Sequence, residues 1–149
     1  MSVSRNNFKQ GDLMFVSRAA SNLPQSTSTA YFTISADDPG LPAVEILQIV
    51  GVVGTSIQAQ ANATKLEHEF SGDLTAILDI NGDTAAGNYF ISQDPTTAMK
   101  HVTGGVPNFV SVCLVAGAIK LNCAASSTGT TRWTVYYRAL QPGASIVTA

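Results

Sequence analysis

Charged side chains are scarce in this chain. Asp, Glu, Lys and Arg make up 12% of its 149 residues, against roughly a quarter in an ordinary soluble domain. The surface must therefore be built largely from Ser, Thr, Asn, Gln, Gly and Ala, with apolar groups between them. A freely diffusing protein relies on mixed charges to stay soluble and to repel wrong partners. A chain that omits them is expected to hide much of its surface in an assembly, which points to a part of something larger and away from an enzyme.

Other absences narrow the field further. Only two cysteines, Cys113 and Cys123, and two histidines, His68 and His101, are present. Neither histidine has the spacing of a zinc ligand set. There is no Gly-x-Ser-x-Gly elbow and no Gly-rich phosphate loop ending in Gly-Lys-[Ser/Thr], so neither a catalytic nucleophile, a cofactor nor a metal is expected. The most apolar stretch, residues 44–53, is too short to span a bilayer and contains Glu45 and Gln48. The first twelve residues lack an apolar h-region, so the expectation is a chain made inside a cell without a secretory signal of its own, and without a membrane partner. A net charge of −2 and a pI near 5.5 argue against nucleic acid as a partner.

What remains is β-pattern throughout. Segments 13–16, 30–34, 44–53, 65–70, 74–80, 88–92, 109–115, 119–124 and 132–140 are rich in Val, Ile, Thr, Phe and Tyr. Apolar and polar residues alternate in Leu66, His68 and Phe70 against Lys65, Glu67 and Glu69, and again in Ile119, Leu121 and Cys123 against Lys120 and Asn122. Trp133, Val135 and Tyr137 alternate with Arg132, Thr134, Tyr136 and Arg138. One face buried and one wet is the mark of an antiparallel sheet. Turn residues punctuate the chain at 37–40, 81–83, 103–105 and 126–129, and no segment has a helical period. The expected fold is an all-β antiparallel β-sandwich, jelly-roll-like, with an N-terminal arm over 1–11, a sandwich domain over 12–140 and a short C-terminal tail over 141–149. The two ends read either as frayed termini or as arms that order on a neighbour.

Few residues invite chemistry. Asp79, Asn81 and Asp83 stand at alternate positions like the opening of a calcium loop. Thr84 occupies the place of the sharp-turn glycine, however, and Phe90 that of the bidentate Glu. The plainer expectation is a turn whose Asp side chains bond local backbone. His68 shares a strand face with Leu66 and Phe70, a packing position. The carboxylates of 37–94 are dense enough for a glycosidase-like pair, but a sandwich of this length leaves little chain for a cleft. If 116–118 forms a hairpin turn, Cys113 and Cys123 lie across from each other; reduced thiols packing in the core are the favoured alternative to a disulfide. Among Trp133, Tyr136 and Tyr137 at least one aromatic must reach the surface. Tyr136 between Arg132 and Arg138 suits a protein interface, and Tyr136, Trp133 or Tyr89 would also suit stacking on a sugar.

The charges are unevenly spread. Asp37, Asp38, Glu45, Glu67, Glu69, Asp73, Asp79, Asp83 and Asp94 face only Lys65 in their stretch, whereas Lys100, Lys120, Arg132 and Arg138 follow with no acid. Unless the fold interleaves them, a basic edge of one copy can meet an acidic edge of another.

Three stretches carry a family resemblance: residues 15–25, Phe-Val-Ser-Arg-Ala-Ala-Ser-Asn-Leu-Pro-Gln; residues 57–66, Ile-Gln-Ala-Gln-Ala-Asn-Ala-Thr-Lys-Leu; and residues 116–136 with the Leu-Gln-Pro-Gly-Ala of 140–144. Together they resemble small virion proteins of tailed bacteriophages, of the capsid decoration (cement) kind. That resemblance implies a compact, trimeric β domain on the capsid exterior that ties neighbouring capsid proteins together. The implied partners are the major capsid protein and further copies of the chain itself. A tail or fibre protein and a carbohydrate-binding module are the alternatives. The candidate contact residues are Arg5, Phe8 and Lys9 in the arm, Arg132, Tyr136 and Arg138 on the strand, and Ile146 and Val147 in the tail.

Overall fold

The computed structural model describes residues 11–82, 89–91, 100–102 and 111–149, the backbone alone being described for 82, 89–91 and 100–102. Twelve strands follow in chain order: β1 (Met14–Asn22), β2 (Ser28–Ser35), β3 (Val44–Thr55), β4 (Ala63–His68), β5 (Gly72–Asp73), β6 (Leu78–Asp79), β7 (Tyr89–Ile91), β8 (Lys100–Val102), β9 (Val112–Leu114), β10 (Gly117–Cys123), β11 (Thr130–Ala139) and β12 (Ser145–Thr148). They form two antiparallel sheets. The first runs β1-β11-β3-β7-β8, with β9 also on β3; the second runs β12-β2-β10-β4-β5, with β6 also on β4. The all-β expectation holds.

The core lies between the sheets and follows from the alternation. Trp133, Val135 and Tyr137 of β11 turn inward with Ile46, Ile49 and Val53 of β3, and meet Phe32, Ile34, Leu66, Ile119 and Leu121 of the second sheet. Each such side chain removed from water contributes about 1.5–3 kcal/mol. Ile46 and Ile49 both point inward although they are three apart. The pairing of β3 with β11 slips between Tyr136 and Tyr137, so Leu47 is an extra residue that resets the phase. Gly51 is required by close approach: a Cβ there would stand 2.7 Å from the Trp133 ring. The indole Nε1 donates to Thr131 Oγ1 at 2.9 Å, so the buried ring leaves no donor unpaired.

Four expectations need correction. The tail is neither frayed nor an arm: after a turn at Gly143, β12 pairs with β2, and Ile146 is buried at 4% exposure. Strand 65–70 stops at His68, and Phe70 lies in the following turn, 71% exposed. Segment 74–80 is not one strand, because buried Leu74 and Thr75 bond their N–H groups to the Leu66 carbonyl and separate β5 from β6. Residues 116–118 are no hairpin turn, since β9 belongs to the first sheet and β10 to the second. Cys113 is therefore exposed, Cys123 is buried, and both are free. Of the arm, residues 1–10 lie outside the described residues.

Candidate assembly interface

The outer face of the first sheet gathers residues that the sequence separates by more than a hundred positions. Phe15, Tyr136 and Gln48 stand side by side across β1, β11 and β3. Ser17, Thr134 and Val50 form the next row, and Arg132 stands beside Val52. Alternation carries Leu13 onto the same face. Phe15 is 69% and Leu13 62% exposed. The rings of Phe15 and Tyr136 tilt against each other, centroids 6.1 Å apart, and Ser17 and Thr134 share a hydrogen bond of 2.7 Å. Cross-strand pairs of this kind contribute about 0.2–1 kcal/mol each and fix the face's shape.

Among the described residues, charge sits only at the margins of this face. Arg138 is held by a salt bridge of 3.6 Å to Glu45, its neighbour across the strands. Its Nε donates to the Gly11 carbonyl at 3.0 Å and so ties down the approach to β1. Arg132 is exposed and has no ion-pair or hydrogen-bond partner among the described residues. Arg18 is not part of the face, because its guanidinium stacks 4.2 Å over the Tyr31 ring. Burial there raises the Tyr31 hydroxyl above its ordinary range.

The second sheet presents the opposite character. Lys65 Nζ lies 2.6 Å from Asp73 and 3.9 Å from Glu67. Ser28 donates to Glu67, and the Ala118 N–H donates to Glu69 Oε2 at 3.0 Å. Glu67, Glu69, Asp73 and Asp79 therefore collect along β4 to β6, on the other sheet from Arg132 and Arg138, whereas Glu45 stays beside Arg138. At this edge two more large apolar residues are exposed, Phe70 at 71% and Ile77 at 61%.

Of the residues singled out from sequence, Arg132, Tyr136 and Arg138 share one face. Val147 is 51% exposed on β12, at the edge of the other sheet. Ile146 is core, and so is Trp133 at 2% exposure, which removes it as a stacking platform. Arg5, Phe8 and Lys9 lie outside the described residues, as do the side chains of Tyr89 and His101. Leu13 and Phe15 escaped sequence reading because only the register against Tyr136 shows which face of β1 is covered.

No chemistry gathers at the remaining candidates. Asp79 Oδ1 accepts the N–H groups of Asn62 at 2.9 Å and Asn81 at 3.0 Å, and these bonds hold its carboxyl below the usual range. That is the local turn expected; Asp83 is outside the described residues. Among the described residues no three His, Cys, Asp or Glu side chains are grouped as metal ligands. His68 is 2% exposed, and its Nδ1 accepts the Ser71 N–H at 3.2 Å. Its Nε2 has no hydrogen-bond partner among the described residues. The ring is boxed by Phe70 at 6.2 Å and by Gly117, where a Cβ would stand 3.0 Å from Nε2. Burial pushes the imidazole below its ordinary range, with Glu69 and the Val115 backbone opposing.

No family model and no curated protein matches the chain. Among solved structures it is similar to a chain of the acidic stable capsid structure of Helicobacter pylori bacteriophage KHP30. The identity is 12%, over 90% of this chain and 98% of that one, with a TM-score of 0.43. An overlap that loose carries no functional argument.

Proposed function

We propose that the chain is a non-catalytic structural component of a tailed-phage virion, a decoration protein on the exterior of the head that bridges neighbouring capsid proteins. The observation that carries this reading is the outer face of the first sheet: Leu13 and Phe15 are exposed beside the half-buried Tyr136 in a chain with only 12% charged residues. Large apolar side chains scattered singly are ordinary, but neighbours on adjacent strands mark a surface that another molecule covers. Two further supports stand beside that face. The resemblance of residues 15–25, 57–66 and 116–136 with 140–144 to small virion proteins is one. The other is the pair of antiparallel sheets between which successive segments alternate, an arrangement compatible with the jelly roll expected from sequence, which is frequent among capsid domains.

A decoration protein needs no tuned catalytic group. It binds the assembled lattice and not loose subunits, so mass action makes it stabilise the assembled state. Many weak contacts repeated by symmetry suffice. Residues 1–11, with Arg5, Phe8 and Lys9, are the proposed contact with the head. Deleting residues 1–10 is expected to leave the melting temperature of the isolated protein nearly unchanged while abolishing its sedimentation with heads. Undiminished binding would contradict the role of the arm. Antibody labelling of intact virions separates head from tail, and labelling of fibres alone would replace decoration by the tail reading.

A further inference from the structure

The exposed face of the first sheet and the edge β4–β6 of the second are complementary to each other. The face offers Leu13, Phe15 and Tyr136, with Arg132 unpaired among the described residues at one end and Arg138, paired with Glu45, at the other. The edge offers Phe70 and Ile77 among Glu67, Glu69, Asp73 and Asp79, against Lys65 and Lys120. The apolar anchors match in kind, and the surrounding charge is opposite in sign. Edge-to-edge contact would bring carboxylates together, and the acid this face holds for Arg132 of a second copy, Glu45, is already engaged by Arg138. The two surfaces also lie apart on one molecule. β1 packs beside β12, and β12 and β5 are the two ends of the second sheet.

We propose that the occupant of the arginine-bearing face is the β4–β6 edge of a second copy of this chain, a heterologous contact that repeats head to tail. Such a contact closes into a ring when the rotation between copies allows it. Aromatic and apolar residues at the centre with charges of either sign at the rim match the anatomy of protein interfaces. Charge complementarity sets the register and speeds encounter. The contact rests on reading the chain as an assembly component, but not on the head being what the assembly decorates. Failure of head binding and failure of this contact are thus separately visible.

Two substitutions at exposed positions test it in the full-length protein. Phe15→Asp disables the face and leaves the edge; Ile77→Asp disables the edge and leaves the face. Each is expected to weaken self-association by about thirtyfold or more, the scale of a lost central anchor. Multi-angle light scattering should then find each variant alone as a monomer of 15.5 kDa. Mixed together, the one intact face meets the one intact edge, and a 1:1 dimer forms that cannot grow. Formation of the dimer also shows that both variants are folded, and added salt should weaken it. A wild-type chain that stays monomeric from micromolar to millimolar concentration overturns the proposal. So does an Ile77→Asp protein that assembles like wild type, or a mixture that yields no dimer.

Discussion

At the residue scale, His68 shows how much an alternating pattern conveys and where it stops. Its place on the buried face beside Leu66 was legible from period two alone. Its surroundings were not, because Gly117 and Phe70 reach it only through the pairing of β10 with β4 and the turn after β4. Those neighbours make it an acid-sensitive point among the described residues. In the folded state Nδ1 accepts a backbone N–H and so carries no proton, and burial disfavours the charged ring. The unfolded chain takes up a proton near pH 6.5, and the folded chain does so only at lower pH. Stability is therefore complete above the unfolded value and declines as pH falls below it. Asp79, with its lowered carboxyl, loses its contribution only at still lower pH. The melting temperature should drop between about pH 7.5 and about pH 5, and His68→Gln should flatten that drop. An equal slope in the variant would refute the assignment.

At the scale of elements, the strands rich in Val, Ile and aromatic residues were readable, and their breaks and pairings were not. Strand 132–140 was legible because Trp133, Val135 and Tyr137 alternate without interruption. The splitting of 74–80 was hidden because it depends on N–H groups of Leu74 and Thr75 finding one carbonyl on β4. The tail misled for another reason. Pro142-Gly143 does end β11, but the turn returns the chain to the sandwich, where Ile146 faces Ile34 across β2 and β12. Gln141 stitches that corner: its side chain accepts from the Asp38 N–H at 3.0 Å and donates to the Asp38 carbonyl at 3.0 Å. Ile146→Ala should cost about 2–5 kcal/mol in a denaturant melt, and Val147→Ala, on the exposed side, less than about 0.5 kcal/mol. Equal effects would mean that β12 is not docked as described.

At the scale of the whole molecule, the low charge content pointed to an assembly component, and the fold shows where the few charges go. The bases of β11 decorate one sheet and the acids of 67–79 edge the other, so the separation seen along the chain survives in part, with Glu45 beside Arg138 and Lys65 and Lys120 among the acids. The candidate site was half legible: Arg132, Tyr136 and Arg138 came from one strand's alternation, whereas Leu13 and Phe15 join them only through register. The most direct measurement is co-sedimentation of the purified chain with emptied phage heads, set against unassembled capsid protein. The account predicts saturable binding to heads alone, in a fixed ratio to capsid protein, with a rise in the temperature at which the heads come apart. Absence of binding to heads, or equal binding to loose subunits with no gain in head stability, would contradict it.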